Sequence, residues 1–162
     1  MNVSSKNNAG KFRLWREIPI AAEATVWLLL SWLVLDVLPG KLYRHCMQPR
    51  LRTRELTEEQ SFRQIKRVSW AVRRTSIRLP WRSVCFHRGI AAHQMLRRRG
   101  IASTLHYGVN PKENLAAHVW VTACGKPVVG VREAAGYTQI AVFPDATKNK
   151  GTGVLNTHAI FR

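Results

Sequence analysis

A change of periodicity near residue 100 constrains the fold more than any other feature of this chain. Residues 57–78 repeat apolar side chains at helical spacing, and residues 80–100 form a second helical segment. The segments that follow are short, rich in β-formers and separated by turns: 103–110, 115–123, 127–131 and 137–143. Helices followed by a meander of strands predict an α+β fold, with helices packed on an antiparallel sheet.

The size and composition suit one globular domain. The chain has 162 residues, of which 46% are hydrophobic, so it can bury a core and is not a disordered chain. We expect residues 1–56 to form a loose polar start (residues 1–11), an apolar helix and a basic linker. Residues 57–162 are then expected to form the core domain.

Positive charge is concentrated in the middle of the sequence. The formal net charge is +17, and residues 41–99 contain sixteen Lys or Arg against three acids. Such a concentration of positive charge predicts an acidic partner, namely a nucleic acid, a membrane surface, an acidic peptide or an acidic protein. The chain has no helix-turn-helix, zinc-finger or RNA-recognition signature. We therefore predict no nucleic-acid partner.

The apolar run at residues 18–38 is about long enough to cross a bilayer. No small-residue cleavage site follows it, which disfavours a signal peptide. A membrane anchor and a buried or partner-docking helix both remain open. The second interpretation is favoured, because Trp27 and Trp32 with the many leucines suit an apolar helix face.

The helix expected at residues 80–100 carries a cysteine near its start. Ser83 is a suitable N-cap, which puts Cys85 in the first turn. There the helix dipole favours thiolate over thiol, and Arg82 and Arg88 act in the same direction. These features could produce a nucleophilic sulfur, although a lone helical cysteine is more often a structural one.

The cysteine count indicates a reducing compartment. Cys46, Cys85 and Cys124 are odd in number and form no close pair, so we predict a cytoplasmic protein without a disulfide framework. Cys85, His87 and His93 do not share a helix face, so no metal site and no cofactor are predicted.

A nucleophilic cysteine needs a base within reach, and His118 is the best candidate among six histidines. It begins a predicted strand, and a histidine on a strand beside a helix N-terminus can form a thiolate–imidazolium pair. His87 and His93 lie on the cysteine helix itself, and His93 is too far along the axis to reach Cys85. His106 is better interpreted as a structural or surface histidine.

Several motifs together resemble one family. They are WRSVC followed by LRRRGI, a strand ending YGVNP, the segment AAHVWVTACGKPVVG, and GYTQIAVFP. This pattern, over about residues 60–144, resembles the transglutaminase-like cysteine peptidase portion of the B proteins of lasso-peptide biosynthesis. The resemblance implies a transglutaminase/papain-like core and removal of the leader from a ribosomally made precursor.

The resemblance also implies partners. They are the precursor peptide, a small leader-binding protein that delivers it, and an asparagine-synthetase-like lasso cyclase that closes the ring. We expect the split form of the family, with the leader-binding domain on another chain. Contact with a membrane through residues 18–38 remains an open alternative.

Carried over residue by residue, Cys85 would be the nucleophile and His118 the general base and acid. The family commonly has an Asp about a dozen residues after the histidine, where this chain has Gly130. A hairpin turn centred on residues 125 and 126 would instead bring Glu133 opposite His118. Glu133 is therefore the candidate third catalytic residue, and a backbone carbonyl that orients His118 is the alternative. The backbone N–H of Cys85 is one expected oxyanion donor, and the second is unassigned.

Two other hypotheses stay open at the level of sequence. One is a non-catalytic basic module that binds a membrane or nucleic acid, with Cys85 purely structural. The other is a transglutaminase or amidase that acts on other amides.

Overall fold

The computed structural model describes residues 4–37, 56–79, 84–112 and 115–143. The helices are α1 (Ser4–Trp32), which continues into a π-helical segment (Leu33–Val37), α2 (Glu58–Ser76) and α3 (Cys85–Arg98). The strands are β1 (Ser103–Asn110), β2 (Ala116–Ala123), β3 (Lys126–Val129) and β4 (Thr138–Phe143).

The strands form one antiparallel sheet in the order β3-β2-β1-β4. The predicted α+β fold is confirmed, because the helices pack on this four-stranded sheet. Helix α3 lies against β1, β2 and β3, while α2 contacts β3 and α3. Helix α1 packs on α2 and α3, and so lies in an outer layer.

Helix α2 begins where the sequence predicts. The Thr57 hydroxyl accepts from the backbone N–H of Gln60, and the Gln60 side chain accepts from the backbone N–H of Thr57. This reciprocal capping box satisfies donors that the first turn leaves unpaired. The inner face of α2 buries Ile65, Val68 and Val72.

Helix α1 is longer than predicted. Residues 1–11 were expected to be loose, and this is wrong for residues 4–11, which are helical. Once a helix is nucleated, each further residue adds a hydrogen bond at low cost, so a polar segment can extend an apolar helix. The predicted basic linker lies almost entirely outside the described residues.

The apolar run is docked on the domain. By length and composition alone, Glu17–Leu35 could cross a membrane. In the fold, however, Ile20, Ala24 and Leu28 are part of the buried core. Glu23 pairs with Arg99, just beyond α3, at 2.5 and 3.0 Å. The opposite face of α1 and of the π-helical segment exposes a second set of apolar side chains: Ile18, Val26, Leu29, Leu30 and Leu33.

Candidate active site

Cys85 is the first residue of α3, so its predicted place in the first turn is confirmed. The cap itself differs from the prediction. Val84, with extended backbone angles, is the N-cap, and Ser83 lies outside the described residues. The cap is closed by His87, whose Nδ1 accepts the backbone N–H of Val84 at 3.2 Å. Because the first-turn N–H groups have no partner within the helix, the backbone N–H of Cys85 is available by position to an oxyanion.

Gly89 sets how closely α3 approaches the sheet. A Cβ at this position would lie 2.7 Å from Cγ1 of Val119 on β2, so a larger residue would force the helix or the valine to shift. Gly89 follows Cys85 by four residues and therefore lies on the same helix face. The close approach brings the Cys85 thiol to 4.0 Å from the carbonyl oxygen of Ala117, the residue before His118.

His118 is held by a backbone carbonyl. Its Nε2 lies 2.8 Å from the carbonyl oxygen of Gly130. Since a carbonyl oxygen can only accept, Nε2 carries the proton and Nδ1 of the neutral ring is left with a lone pair. A base in this tautomer can take a proton from a thiol that approaches Nδ1.

The conformation of Gly130 disfavours a side chain at this position. Its φ is +73°, and an added Cβ would lie 2.5 Å from the carbonyl oxygen of Val119 and 3.2 Å from His118 Nε2. A side chain would be both strained and crowded at this point. The backbone oxygen of Gly130 thus contacts the imidazole at the position where the sequence resemblance implies a carboxylate.

Glu133 lies in the wall of the same cleft, and its side chain is exposed. Of the two alternatives for orienting His118, the structure provides the backbone carbonyl. No hydrogen bond or ion pair of Glu133 is found among the described residues. Its role as the third catalytic residue stays a prediction.

Aromatic rings flank the imidazole of His118. Trp120 lies next along β2 on the same face, with ring centres 6.2 Å apart and nearly parallel, and Tyr137 approaches to 5.1 Å. Trp120 is stacked on its other side by His106 at 5.4 Å. The imidazole of His118 is thus buried beside two aromatic rings.

His106 is a structural residue, as interpreted from the sequence. Its Nδ1 lies 2.7 Å from Oε1 of Gln139, and its Nε2 lies 2.9 Å from the hydroxyl of Thr122. Both ring nitrogens are therefore used within the sheet. His106 supports Trp120 and has no nitrogen left for catalysis.

His93 is buried between α3 and β1, away from the thiol. Its Nδ1 contacts the Ser103 hydroxyl at 2.8 Å, and its Nε2 lies 3.4 Å from a guanidinium nitrogen of Arg97. Because Arg97 can only donate, Nε2 accepts and Nδ1 carries the proton. Burial, and then the charge of Arg97, lower the pKa of His93 to about 4.

Cys85 and His118 line the same cleft, which has a volume of about 640 Å³. No hydrogen bond joins the two side chains among the described residues, and the thiol points toward the Ala117 carbonyl. Catalytic hydrogen bonds often form only when substrate is bound.

The cleft walls carry three arginines and one acid: Arg73, Arg88, Arg132 and Glu133. Within the described ranges, no three His, Cys, Asp or Glu side chains are grouped closely enough to hold a metal ion.

Comparison with known families agrees with this geometry. Residues 29–142 match the transglutaminase-like superfamily, a stretch that runs from α1 to β4 and includes Cys85, His118 and Gly130. The chain belongs to the transglutaminase-like superfamily. This superfamily includes cysteine peptidases and transglutaminases. No curated protein and no solved structure gives a significant match to the chain.

Three contributors to the site escaped the sequence analysis. His87 closes the helix cap, Gly89 permits the close packing of α3 on β2, and Tyr137 covers His118. A histidine three residues after the cap and a glycine four residues after the cysteine are the signals that could have indicated the first two. Tyr137 has no such signal, because its place beside His118 depends on the sheet order.

Proposed function

We propose that this protein is a cysteine peptidase that removes the leader from a ribosomally synthesised precursor peptide, as in lasso-peptide maturation. One observation supports the catalytic part of this proposal. A thiol at a helix N-terminus shares a cleft with a histidine whose Nε2 is bound to a backbone carbonyl, which leaves Nδ1 as a base. Membership of the transglutaminase-like superfamily supports the same chemistry.

The reaction starts with proton transfer from the Cys85 thiol to Nδ1 of His118. The thiolate attacks the carbonyl carbon at the leader–core junction, and the backbone N–H of Cys85 donates to the oxyanion. The C–N bond breaks as protonated His118 gives its proton to the departing core amine. The leader is left as a thioester on Cys85.

The second half of the reaction releases the leader. His118 takes a proton from water, and the resulting hydroxide attacks the thioester carbonyl. The C–S bond breaks, the sulfur recovers a proton from His118, and the leader departs as a carboxylic acid. The Gly130 carbonyl keeps the His118 ring in one orientation through both halves.

The precursor, and its origin in lasso biosynthesis, rest on the motif resemblance. So do the proposed partners, a small leader-binding protein and an asparagine-synthetase-like cyclase. The freed core amine would be the group that the cyclase acylates. Action of the protein on the precursor must therefore precede ring closure.

We also propose a cytoplasmic location in which α1 lies on a membrane surface without crossing it. The exposed apolar stripe of α1 is suited to the boundary between headgroups and acyl chains. Crossing the bilayer would require separation of Glu23 from Arg99 and exposure of Ile20, Ala24 and Leu28. The net charge of +17 favours anionic lipid.

The two free cysteines of the described region provide an internal comparison for testing the catalytic proposal. Cys124 is exposed in the β2–β3 turn, so it serves as the reference thiol for Cys85. We expect iodoacetamide at neutral pH to label Cys85 faster than Cys124, although Cys85 is less exposed. Slower labelling of Cys85, at the rate of a model thiol, would contradict an activated nucleophile.

The decisive assay is cleavage of a lasso precursor in the presence of its leader-binding partner. Cys85→Ala should abolish cleavage, and Cys124→Ala should retain it. Equal cleavage by wild type and Cys85→Ala would overturn the proposed function. A hydroxylamine-sensitive leader adduct on Cys85 would identify the thioester directly.

A further inference from the structure

We propose that a groove along the outer side of α2 binds an acidic, apolar segment of the peptide substrate, a proposal that rests on the peptidase function above. The groove has a volume of about 590 Å³ and lies between α2 and the start of β3. Its walls combine aromatic or aliphatic side chains with cations: Phe62, Trp70, Ile77, Lys66, Arg74 and Lys126.

The groove adjoins the catalytic cleft. Ser69, Arg73 and Pro127 line both the groove and the cleft that holds Cys85. Ser69 donates to the carbonyl of Val128, which fixes α2 against the edge strand at this junction. A peptide segment bound in the groove would therefore lie directly beside the cleft that holds Cys85.

The exposed apolar side chains of the groove suit a ligand. The exposed fraction is 38% for Phe62, 44% for Trp70 and 82% for Ile77. These residues recur along one side of α2 and its C-cap, beside the buried stripe of the same helix. The distance along the helix from Phe62 to Ile77 is roughly 22 Å, and an extended peptide of about seven residues covers it.

The positive charges of the groove favour a peptide of negative net charge. The groove walls contain Lys66, Arg73, Arg74 and Lys126 and no acidic residue. Among the described residues, none of these four cations forms an ion pair. The ammonium groups of Lys66 and Lys126 lie 4.2 and 5.9 Å from the centre of the Phe62 ring. Cations gathered around an exposed ring favour a ligand with carboxylates next to apolar side chains.

A basic groove with aromatic rings is also used by proteins that bind single-stranded nucleic acid. A peptide is favoured here because the groove adjoins a cleft with a thiol and an imidazole, which act on carbonyl groups. The Glu133 carboxylate in the cleft also opposes a phosphate backbone that continues past the junction.

The proposal is tested by binding to the full-length Cys85→Ala protein, which cannot cleave its ligand. The probe is a fluorescein-labelled eight-residue peptide with four Glu, two Phe and two Leu, followed by fluorescence anisotropy at low ionic strength. Its counterpart with Gln in place of Glu should bind about tenfold more weakly. Equal binding of the two peptides would overturn the acidic specificity, and tighter binding of a ten-residue oligothymidylate than of the Glu peptide would overturn the choice of a peptide.

Matched charge reversals locate the site. Arg74→Glu lies in the groove but outside the catalytic cleft, and Lys112→Glu reverses an exposed cation in the β1–β2 turn. We expect Arg74→Glu, and separately Trp70→Ala, to weaken binding of the Glu peptide about tenfold, with no change for Lys112→Glu. Equal weakening by Arg74→Glu and Lys112→Glu would indicate only the general positive field, and would overturn the groove.

These experiments distinguish failure of the proposed peptidase function from failure of the proposed binding groove. If Cys85→Ala binds the Glu peptide through the groove but wild type cleaves no precursor, the peptidase function fails and the acidic-peptide groove stands as a binding site. If wild type cleaves and Arg74→Glu cleaves with unchanged KM, the groove is not part of substrate recognition. A rise in KM with unchanged kcat for Arg74→Glu is the expected result.

Discussion

The Nε2–H of His118 donates to the backbone carbonyl of Gly130 across 2.8 Å, in place of a side-chain carboxylate. A carbonyl fixes the tautomer as a carboxylate would, since both only accept. It brings no negative charge to offset the imidazolium that the proposed reaction would form. In this protein, orientation of the base therefore depends on backbone geometry at one residue.

Gly130→Ala is expected to damage both stability and catalysis. A non-glycine residue at φ +73° costs about 1–3 kcal/mol, and the added Cβ crowds the carbonyl oxygen of Val119. Urea unfolding should show this loss, and kcat should fall together with it. Gly130→Asp should be no better, and higher activity for Gly130→Asp than for wild type would contradict the crowded geometry.

Glu133→Gln tests whether the third catalytic position is filled by a side chain. Because the Gly130 carbonyl already engages Nε2, we expect the loss in kcat/KM to be less than about tenfold. His118→Ala, assayed beside it, should lose nearly all activity. A loss in Glu133→Gln comparable with that of His118→Ala would assign the third role to Glu133.

Gly89→Ala should separate α3 from β2. Alanine gains about 1 kcal/mol in helix propensity over glycine, but overpacking against Cγ1 of Val119 costs about 1–3 kcal/mol. We expect a net loss of stability and lower activity, because Cys85 moves with the helix. Val119→Ala removes the obstructing methyl group, so the double variant should lose less stability than the sum of the two single variants. Simple additivity would show that the contact does not limit the approach.

Stability should depend on pH through His93. Its folded-state pKa of about 4 is below the ordinary value of 6.5, so between these values the unfolded chain binds a proton that the native protein does not. The free energy of unfolding therefore falls as the pH drops from 6.5 to 4, by about 3 kcal/mol from this group. Urea unfolding of wild type and His93→Gln between pH 4 and 6.5 isolates the contribution of His93 to the free energy of unfolding. An unchanged pH slope in His93→Gln would contradict the assignment.

The outward face of α1 should bind lipid without spanning the bilayer. At about 0.5 M salt, where the Debye length is only a few ångströms, flotation with anionic vesicles reports mainly apolar contact. We expect wild type to float and Leu29→Ser/Leu30→Ser to remain in solution with unchanged thermal stability, because both side chains are exposed. Equal flotation of both proteins would show that this face of α1 is not the lipid contact.

Local patterns in the sequence were enough to determine the start of α2, the position of Cys85 and the four strands, but not the start of α1. The capping box at Thr57 placed the start of α2, the position of Cys85 in a first turn was confirmed, and alternation located all four strands to within about two residues. These features depend on residues three or four apart, or on a period of two, so the chain carries them without reference to distant contacts.

Only the tertiary structure decided how the site is assembled. The carbonyl of Gly130, the close packing at Gly89 and the cover of Tyr137 all depend on strands and helices that are far apart in sequence. The sequence favoured a side chain, Glu133, as the partner of His118 and left a backbone carbonyl as the alternative, because a pattern of residue types does not show which backbone oxygen lies nearby. Which carbonyl reaches the imidazole is set by the turn after β3 and by the sheet register, and these become fixed only when the whole core packs.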